Sequence, residues 1–249
     1  MNGRDTVEGD YRSSHTNRGG KYDASLATDK FDAYMTFWEA RHATAMLREV
    51  LPQGVDRYLD FACGTGRLTQ VIAPLAREVV GVDVSETMLA AAGPKLPHAR
   101  FVKADLTRED INIGQFDLVS SFRFFGNADP ALRSAVLKEL NRRIRPGGYL
   151  LVNNHRNPLA LMNILAALQG QSIDVDLTHR RFCRLLRDAG FEPVLVCPIA
   201  VWQFRHALAA SAGQRTDREA QLERRFGNAA WAHIAPDSVI LARKPESTE

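Results

Sequence analysis

The chain has 249 residues, of which 45% are apolar, and its 32 basic and 29 acidic side chains leave a net charge of +3. This length suits one α/β domain or, as the alternative, two small domains, and the apolar content is enough for a sizeable core. So balanced a charge does not indicate a nucleic acid as the partner. Three cysteines, at positions 63, 183 and 197, show no CxxC or CxxH spacing. This pattern favours a reducing compartment over a disulfide framework, and we interpret all three as small apolar residues.

The N-terminal segment, residues 1–21, is polar and has no apolar run of the kind that secretory signals carry. We predict a disordered tail there. The longest apolar stretch, residues 159–168, is about half of the ~20 residues that a membrane-spanning helix needs. We therefore expect a soluble, cytoplasmic protein without a membrane partner.

Residues 31–50 carry apolar side chains at helical spacing, which predicts a helix with one buried face. Pro52 and Gly54 end this helix. His42 falls on the apolar face, and we interpret it as a core residue.

A strand and a glycine loop follow. Residues 58–63 are a mostly apolar run, with Asp60 among them, suited to a buried strand, and Gly64 and Gly66 let the backbone turn sharply beside a ligand. A helix should start near Gly66, which would place a ligand over its N-terminus at the carboxyl end of a parallel strand. The alternative is a dinucleotide site with three glycines. Thr69 stands where the third should be, which weakens a nicotinamide or flavin interpretation.

A second apolar run, residues 79–83, ends in Asp83, seventeen positions after Gly66. A carboxylate at the tip of the second strand can accept hydrogen bonds from both ribose hydroxyls of a nucleoside. Ser85 supplies the N-cap of the next helix. We therefore interpret Asp83 as a ligand-binding residue rather than a helix cap.

Short apolar runs and helical patterns continue to alternate along the chain, which predicts a parallel, doubly wound sheet. Asp129 and Thr178 are predicted N-caps of later helices. The further predicted strands span residues 100–105, 116–121, 149–153, 193–201 and 238–243.

The two segments 59–66 and 81–89 resemble the first two motifs of the class I S-adenosylmethionine-dependent methyltransferases. The resemblance implies a Rossmann-like sheet of seven strands, mostly parallel with an antiparallel last strand, and helices on both faces. It also implies one methyltransferase domain over residues 22–249. Its parts would be an N-terminal lid and helix (22–54), a donor-binding core (55–155) and a helical insert near the substrate (202–236).

By this resemblance the donor is S-adenosyl-L-methionine and the product S-adenosyl-L-homocysteine. The loop would pack on the methionine part, Asp60 would help to order the loop and the donor's amino group, and Asp83 would hold the ribose. Asp105 would accept a hydrogen bond from the adenine amino group, although it could instead cap a turn ahead of Thr107. The expected donor-binding residues are Tyr22, Asp60, Ala62, Gly64, Thr65, Gly66, Asp83, Val84, Met88, Asp105, Leu106 and Ser121.

The expected catalytic residues are His155, Arg123 and Tyr34. His155 follows the fifth strand and is the first candidate for a general base. His179 is a weaker second candidate, and a histidine at such a position is more often a surface residue. Arg123 could pair with a substrate anion or reach solvent over aromatic faces. Tyr34 could line the substrate mouth or belong to the core.

The apolar stretch 159–168 could belong to the core or form a wall over the acceptor. We favour the core for that stretch.

The leading hypothesis is methyl transfer to an oxygen or nitrogen of a small molecule such as a sugar, a saccharide or a secondary metabolite. The alternatives are a non-catalytic donor-binding scaffold, a nucleotide-cofactor oxidoreductase, and an RNA methyltransferase that uses the basic clusters at 142–145 and 179–187. A metal-dependent catechol-type enzyme is disfavoured, because we find no acidic ligand cluster beyond the donor site and expect no metal. The oligomeric state is open, with a homodimer as one alternative.

Overall fold

The computed structural model describes residues 30–171, 175–201 and 217–246. The predicted tail, Tyr22 and the first part of the predicted insert lie outside them. The described strands form one sheet in the order β3-β2-β1-β4-β5-β7-β6, in which β7 is antiparallel to both neighbours and the remaining pairs are parallel. The predicted fold class is confirmed. The strands are β1 (Val55–Phe61), β2 (Ala76–Asp83), β3 (Arg100–Lys103), β4 (Phe116–Ser121), β5 (Ile144–His155), β6 (Glu192–Ile199) and β7 (Asp237–Arg243).

Three of the described helices begin where the sequence places capping side chains. Ser85 accepts a hydrogen bond from the Met88 N–H, Asp129 from the Leu132 N–H, and Thr178 from the Arg181 N–H, which confirms the three predicted N-caps. The described helices are α1 (Lys30–Val50), α2 (Thr69–Ile72), α3 (Glu86–Ala92), α4 (Pro130–Arg143), α5 (Leu161–Leu168), α6 (His179–Asp188) and α7 (Asp217–Phe226), with a 3-10 turn at Ala229–Ile234.

The sheet separates two apolar clusters, because successive strand residues point to opposite faces. Leu118 belongs to the cluster under α1 and α2, whereas its neighbour Val119 belongs to the cluster under α4 and α6. Helices therefore cover both faces, as expected for a doubly wound sheet.

Two predicted boundaries were wrong. The first crossover helix, predicted over residues 68–76, stops at Ile72, and a 3-10 turn that contains Pro74 leads into β2. Strand β5 starts at Ile144, five residues earlier than predicted. The Pro-Gly-Gly run at 146–148, expected only to break the preceding helix, lies within β5 at a shift of register against β4, between Phe116 and Leu118.

The expectation that the apolar stretch 159–168 belongs to the core was also wrong for its helix. No residue of α5 is buried, and Leu168 is 79% exposed. Apolar composition alone cannot say which helix the rest of the chain will cover.

Candidate functional site

The glycine loop lies at the edge where β1, β2 and β4 end. Ala62, Gly64 and Gly66 have positive φ angles of 55°, 55° and 74°, so the backbone turns back on itself within five residues. A Cβ placed on Gly64 would meet no atom within 4 Å, whereas one on Gly66 would lie 3.2 Å from the Cβ of Ala92. The loop thus packs against α3 on one side and faces open volume on the other.

Asp83, at the end of β2, holds this loop. Its Oδ2 accepts a hydrogen bond from the Gly64 N–H at 2.8 Å, and its Oδ1 accepts one from the Ser85 N–H at 2.8 Å. Backbone donors therefore fix the carboxylate beside the open volume.

Asp60 is buried beneath the loop. Its two oxygens accept hydrogen bonds from Thr69 Oγ1 at 2.5 Å and Ser120 Oγ at 2.6 Å. Burial raises its pKa to about 6, although both hydroxyls favour the charged form. Asp60 joins β1, α2 and β4, which suits its expected role in ordering the loop. Its expected contact with the donor's amino group stays a prediction.

The other expected donor residues lie around the same edge. Asp105 Oδ1 accepts hydrogen bonds from the Thr107 N–H at 3.0 Å and the Thr107 hydroxyl at 2.6 Å, so the turn-capping alternative is formed. The hydroxyl of Ser121 is buried and has no hydrogen-bond partner within the described ranges. Such an orphaned group is expected where a ligand completes the site. The residues Thr65, Met88 and Leu106 are buried, and Val84 is half-buried.

The Arg123 side chain is largely buried, and its guanidinium group is already paired within the chain. Its side chain is 13% exposed and pairs with α1, through Glu39 Oε1 at 3.1 Å and Asp32 Oδ1 at 3.2 Å. The solvent-exposed alternative was therefore wrong. Pairing with a substrate would require these contacts to break.

His155 is a weak base in this environment. Burial and the positive charge of Arg123 lower its pKa to about 3. Its Nε2 lies 3.1 Å from Asn127 Nδ2, and its Nδ1 is enclosed without a partner among the described residues. His179, the second candidate, is not on the surface. Its ring bonds to the Ala235 carbonyl and to Asn154, both at 3.0 Å, and burial lowers its pKa to about 4.

Tyr34 is fully buried, as its core alternative required. Its hydroxyl donates to Glu223 Oε1 at 2.5 Å, and the same oxygen accepts a hydrogen bond from the Ala200 N–H. Tyr34 thereby ties α1 to α7 and exposes no surface to an acceptor.

Sequence reasoning missed a buried polar group that we call the Glu39 cluster. Glu39 is completely buried on α1 and accepts hydrogen bonds from Arg67 at 2.9 Å, Arg123 at 3.1 Å and Asn153 at 2.9 Å. Burial alone would raise its pKa, but the two guanidinium groups lower it to about 2. The one signal in the sequence was a carboxylate among the apolar positions of the first helix. The members of the cluster are Glu39, Arg67, Arg123, Asn153 and Asp237.

Asp237 is the second acidic member of the cluster. Burial and the charge of Glu39 raise its pKa well above its ordinary value. Asn153 Nδ2 donates to Asp237 Oδ2 at 3.2 Å. The cluster therefore joins α1, the residue after Gly66, and the ends of β4, β5 and β7.

No group of three or more histidine, cysteine or acidic side chains in the described ranges is placed to hold a metal ion. Across the same ranges, none of the helices has the length and apolar content needed to cross a bilayer.

Comparison with known proteins agrees with this geometry. Residues 59–148, which run from the glycine loop to the start of β5, match the family model described as a methyltransferase domain. This segment is a class I S-adenosylmethionine-dependent methyltransferase domain.

Relatives of the methyltransferase domain include the ubiquinone/menaquinone biosynthesis C-methyltransferase UbiE of Syntrophotalea carbinolica. It is 37% identical over 125 residues, which are 48% of this chain and 52% of the relative. The ubiquinone biosynthesis O-methyltransferase of Marinobacter nauticus is 29% identical over 55% of this chain and 63% of its own. The chain thus spans between half and two thirds of the length of these two relatives.

A solved structure of similar fold is the magnesium protoporphyrin IX methyltransferase from Synechocystis with bound S-adenosylhomocysteine. Its TM-score is 0.61 at 15% identity, over 94% of this chain and 97% of that one. The fold shared with this structure therefore extends beyond the matched segment to both ends of the described sheet.

Proposed function

We propose that the protein transfers a methyl group from S-adenosyl-L-methionine to a nitrogen or oxygen of a small molecule by in-line displacement. The observation that carries the proposal is the open volume over Gly64, bordered by the Asp83 carboxylate, at the carboxyl edge of a family-matched domain. Open α/β sheets bind their ligands at this edge.

The residues of this edge fit the donor. The positive-φ loop leaves room for the methionine part, Asp83 is held where it can accept from the ribose hydroxyls, and the unpartnered Ser121 hydroxyl supplies a further polar contact. Val84, Met88 and Leu106 would enclose the adenine, beside Asp105. When bound, the donor supplies a methyl group that its sulfonium has already activated. The chain's own task is to align the acceptor and exclude water, which can be worth ~7 kcal/mol or more.

The ion pairs that several arginines form within the chain favour a small-molecule acceptor over RNA. Arg142 pairs with Asp110 and Glu139, Arg143 with Glu139, and Arg181 with Asp176. Arginines already paired within the chain offer less positive charge to an RNA backbone. The names of both curated relatives also refer to the biosynthesis of quinones, which are small molecules.

The low basicity of His155 bears on which acceptor groups the protein could methylate. A neutral amine needs only to lose a proton after transfer, whereas a hydroxyl benefits from a general base with a pKa near the working pH. His155, with its pKa lowered to about 3 and Nδ1 enclosed, is a poor base. The acceptor we favour is therefore an amine nitrogen or an oxygen that is already ionised. A carbon acceptor is the second candidate, because the 37% identical relative is a C-methyltransferase.

We place the protein in the cytoplasm, where reducing conditions would keep the free thiols of Cys63, Cys183 and Cys197 reduced. We also propose that residues 22–249 form a single domain. Every described strand belongs to one sheet, which supports it.

The test is calorimetric titration with S-adenosylhomocysteine, followed by incubation with methyl-labelled donor and a panel of amines, phenols, carboxylates and quinols. We expect donor binding and label transfer to one class. Binding without transfer to the panel or to fractionated cell extract would favour the scaffold alternative. Absence of binding would overturn the proposal.

Removal of the Asp83 carboxylate should weaken the binding of S-adenosylhomocysteine by ~1.5–3 kcal/mol, the scale of hydrogen bonds to a charged group. Asp83→Ala is compared with Glu86→Ala, which removes a nearby exposed carboxylate that pairs with Lys103. The control should bind as the wild type does. Equal affinities for the two variants would place the ribose elsewhere.

A further inference from the structure

Helix α5 presents an apolar stripe to the surface. Leu161, Ile164, Leu165 and Leu168 stand at positions i, i+3, i+4 and i+7, which share one face of a helix, and they are 37%, 37%, 40% and 79% exposed. The helix contains no charged residue and buries none of its side chains. Contiguous apolar surface of this kind marks an interaction site in natural proteins.

Helix α5 is exposed, but hydrogen bonds hold its first residues in place. Asn157 is fully buried just before it, and its Nδ2 donates to the carbonyls of His233 at 2.9 Å and Ala235 at 2.8 Å. Asn163 donates back to the Asn157 carbonyl at 2.7 Å. The start of α5 is therefore fixed to the 3-10 turn at Ala229–Ile234.

An exposed indole and two guanidinium groups lie around this junction. Trp231, in the same 3-10 turn, is 39% exposed. Arg180 donates to the His233 ring at 3.2 Å, and Arg156 donates to Asn127 Oδ1 at 3.1 Å. Both arginines are exposed, and neither contacts a carboxylate in the part of the chain that the structure describes. The apolar stripe is thus accompanied by two positive charges that no acidic side chain there neutralises.

We propose that this face docks on an anionic membrane surface. Leucine and isoleucine side chains on one helix face enter the boundary of the acyl chains, an indole suits the interface, and guanidinium groups attract lipid phosphates. A second copy of the chain is the poorer occupant. An eight-residue helix is only ~12 Å long, and its partly exposed stripe cannot supply the ~800 Å² per partner of a stable interface.

Docking in this way would bring the candidate site to the bilayer. Helix α5 begins six residues after His155, at the end of β5. This consequence rests on the proposed function, because the methyl acceptor would then enter the candidate site from the membrane.

The test is sedimentation of the full chain with vesicles of phosphatidylcholine, with and without phosphatidylglycerol. We expect binding to the anionic vesicles that weakens with added salt. Leu165→Glu and Leu168→Glu should each lower the vesicle affinity about tenfold, the scale of burying part of a leucine side chain. Val194→Glu is the matched control, because Val194 is 45% exposed on the edge strand β6. It should bind vesicles as the wild type does.

Titration with S-adenosylhomocysteine checks that each variant is folded and separates this proposal from the proposed function. Loss of vesicle binding with donor binding retained in Leu168→Glu supports docking. Failure of the wild type to bind anionic vesicles would overturn it, as would equal losses in Val194→Glu. A dimer in light scattering that Leu168→Glu converts to a monomer would assign the face to a second copy instead.

Discussion

Glu39→Ala is expected to lower the free energy of unfolding by about 3–5 kcal/mol, the cost of breaking a buried ion pair by removing one partner. The substitution leaves the guanidinium groups of Arg67 and Arg123, whose side chains are 22% and 13% exposed, without their shared carboxylate. It also removes the acceptor of the Asn153 amide. Glu39→Gln keeps the side-chain volume and removes the charge, and should show most of the same loss. Urea unfolding measures both.

The matched control for Glu39 is Asp56→Ala. Asp56 forms an ion pair with Arg77, but the two side chains are 63% and 87% exposed. Pairs exposed to this degree are worth at most ~1 kcal/mol. A loss in Glu39→Ala no larger than that of the control would mean that the Glu39 cluster does not brace the carboxyl edge.

Gly64→Val should reduce the affinity for S-adenosylhomocysteine at least ~100-fold, which corresponds to ~2.7 kcal/mol. No atom of the described chain lies within 4 Å of a Cβ at this position, so the new side chain would occupy the volume assigned to the donor. A β-branched residue at a φ of +55° also costs ~1–2 kcal/mol of stability. Calorimetric titration and thermal unfolding separate the two effects.

Gly170→Val separates backbone strain from lost donor binding. Gly170 has a φ of +77° and equally open surroundings, but it lies beyond the end of α5. Both variants should lose similar stability, and only Gly64→Val should lose donor affinity. Wild-type affinity in Gly64→Val would remove the glycine loop from the donor site.

The strands, the loop and the helix starts were readable from sequence because each depends on residues close along the chain. Ser85, Asp129 and Thr178 cap amides three positions ahead. The apolar run before Gly64 and the carboxylate after the next run were enough to predict the edge at which β1 and β2 end. Their resemblance to two methyltransferase motifs was likewise local, and it lay within the part of the chain that the family model matches.

The partners of the polar side chains were not readable, because they lie far apart in sequence. Arg123 meets Glu39 across 84 positions, Asn153 meets Glu39 across 114, and Tyr34 meets Glu223 across 189. Nothing near Arg123 shows that its charge is already neutralised. The weak basicity of His155 has a similar origin, since it follows from burial and from the position of Arg123.

By itself, the sequence determined the order of the elements, the positive-φ loop and the caps, because hydrogen bonds and backbone preferences within a few residues specify them. Only the tertiary structure decided which apolar helix is covered and which carboxyl group has its pKa raised. α5 and α1 are both rich in apolar residues, yet α1 packs on the sheet and α5 does not. The pKa of Asp237 is raised because the site is buried and Glu39 lies beside it. Burial and charge pairing depend on contacts from the whole fold, many of them between residues far apart in the sequence. A local sequence pattern does not show those contacts.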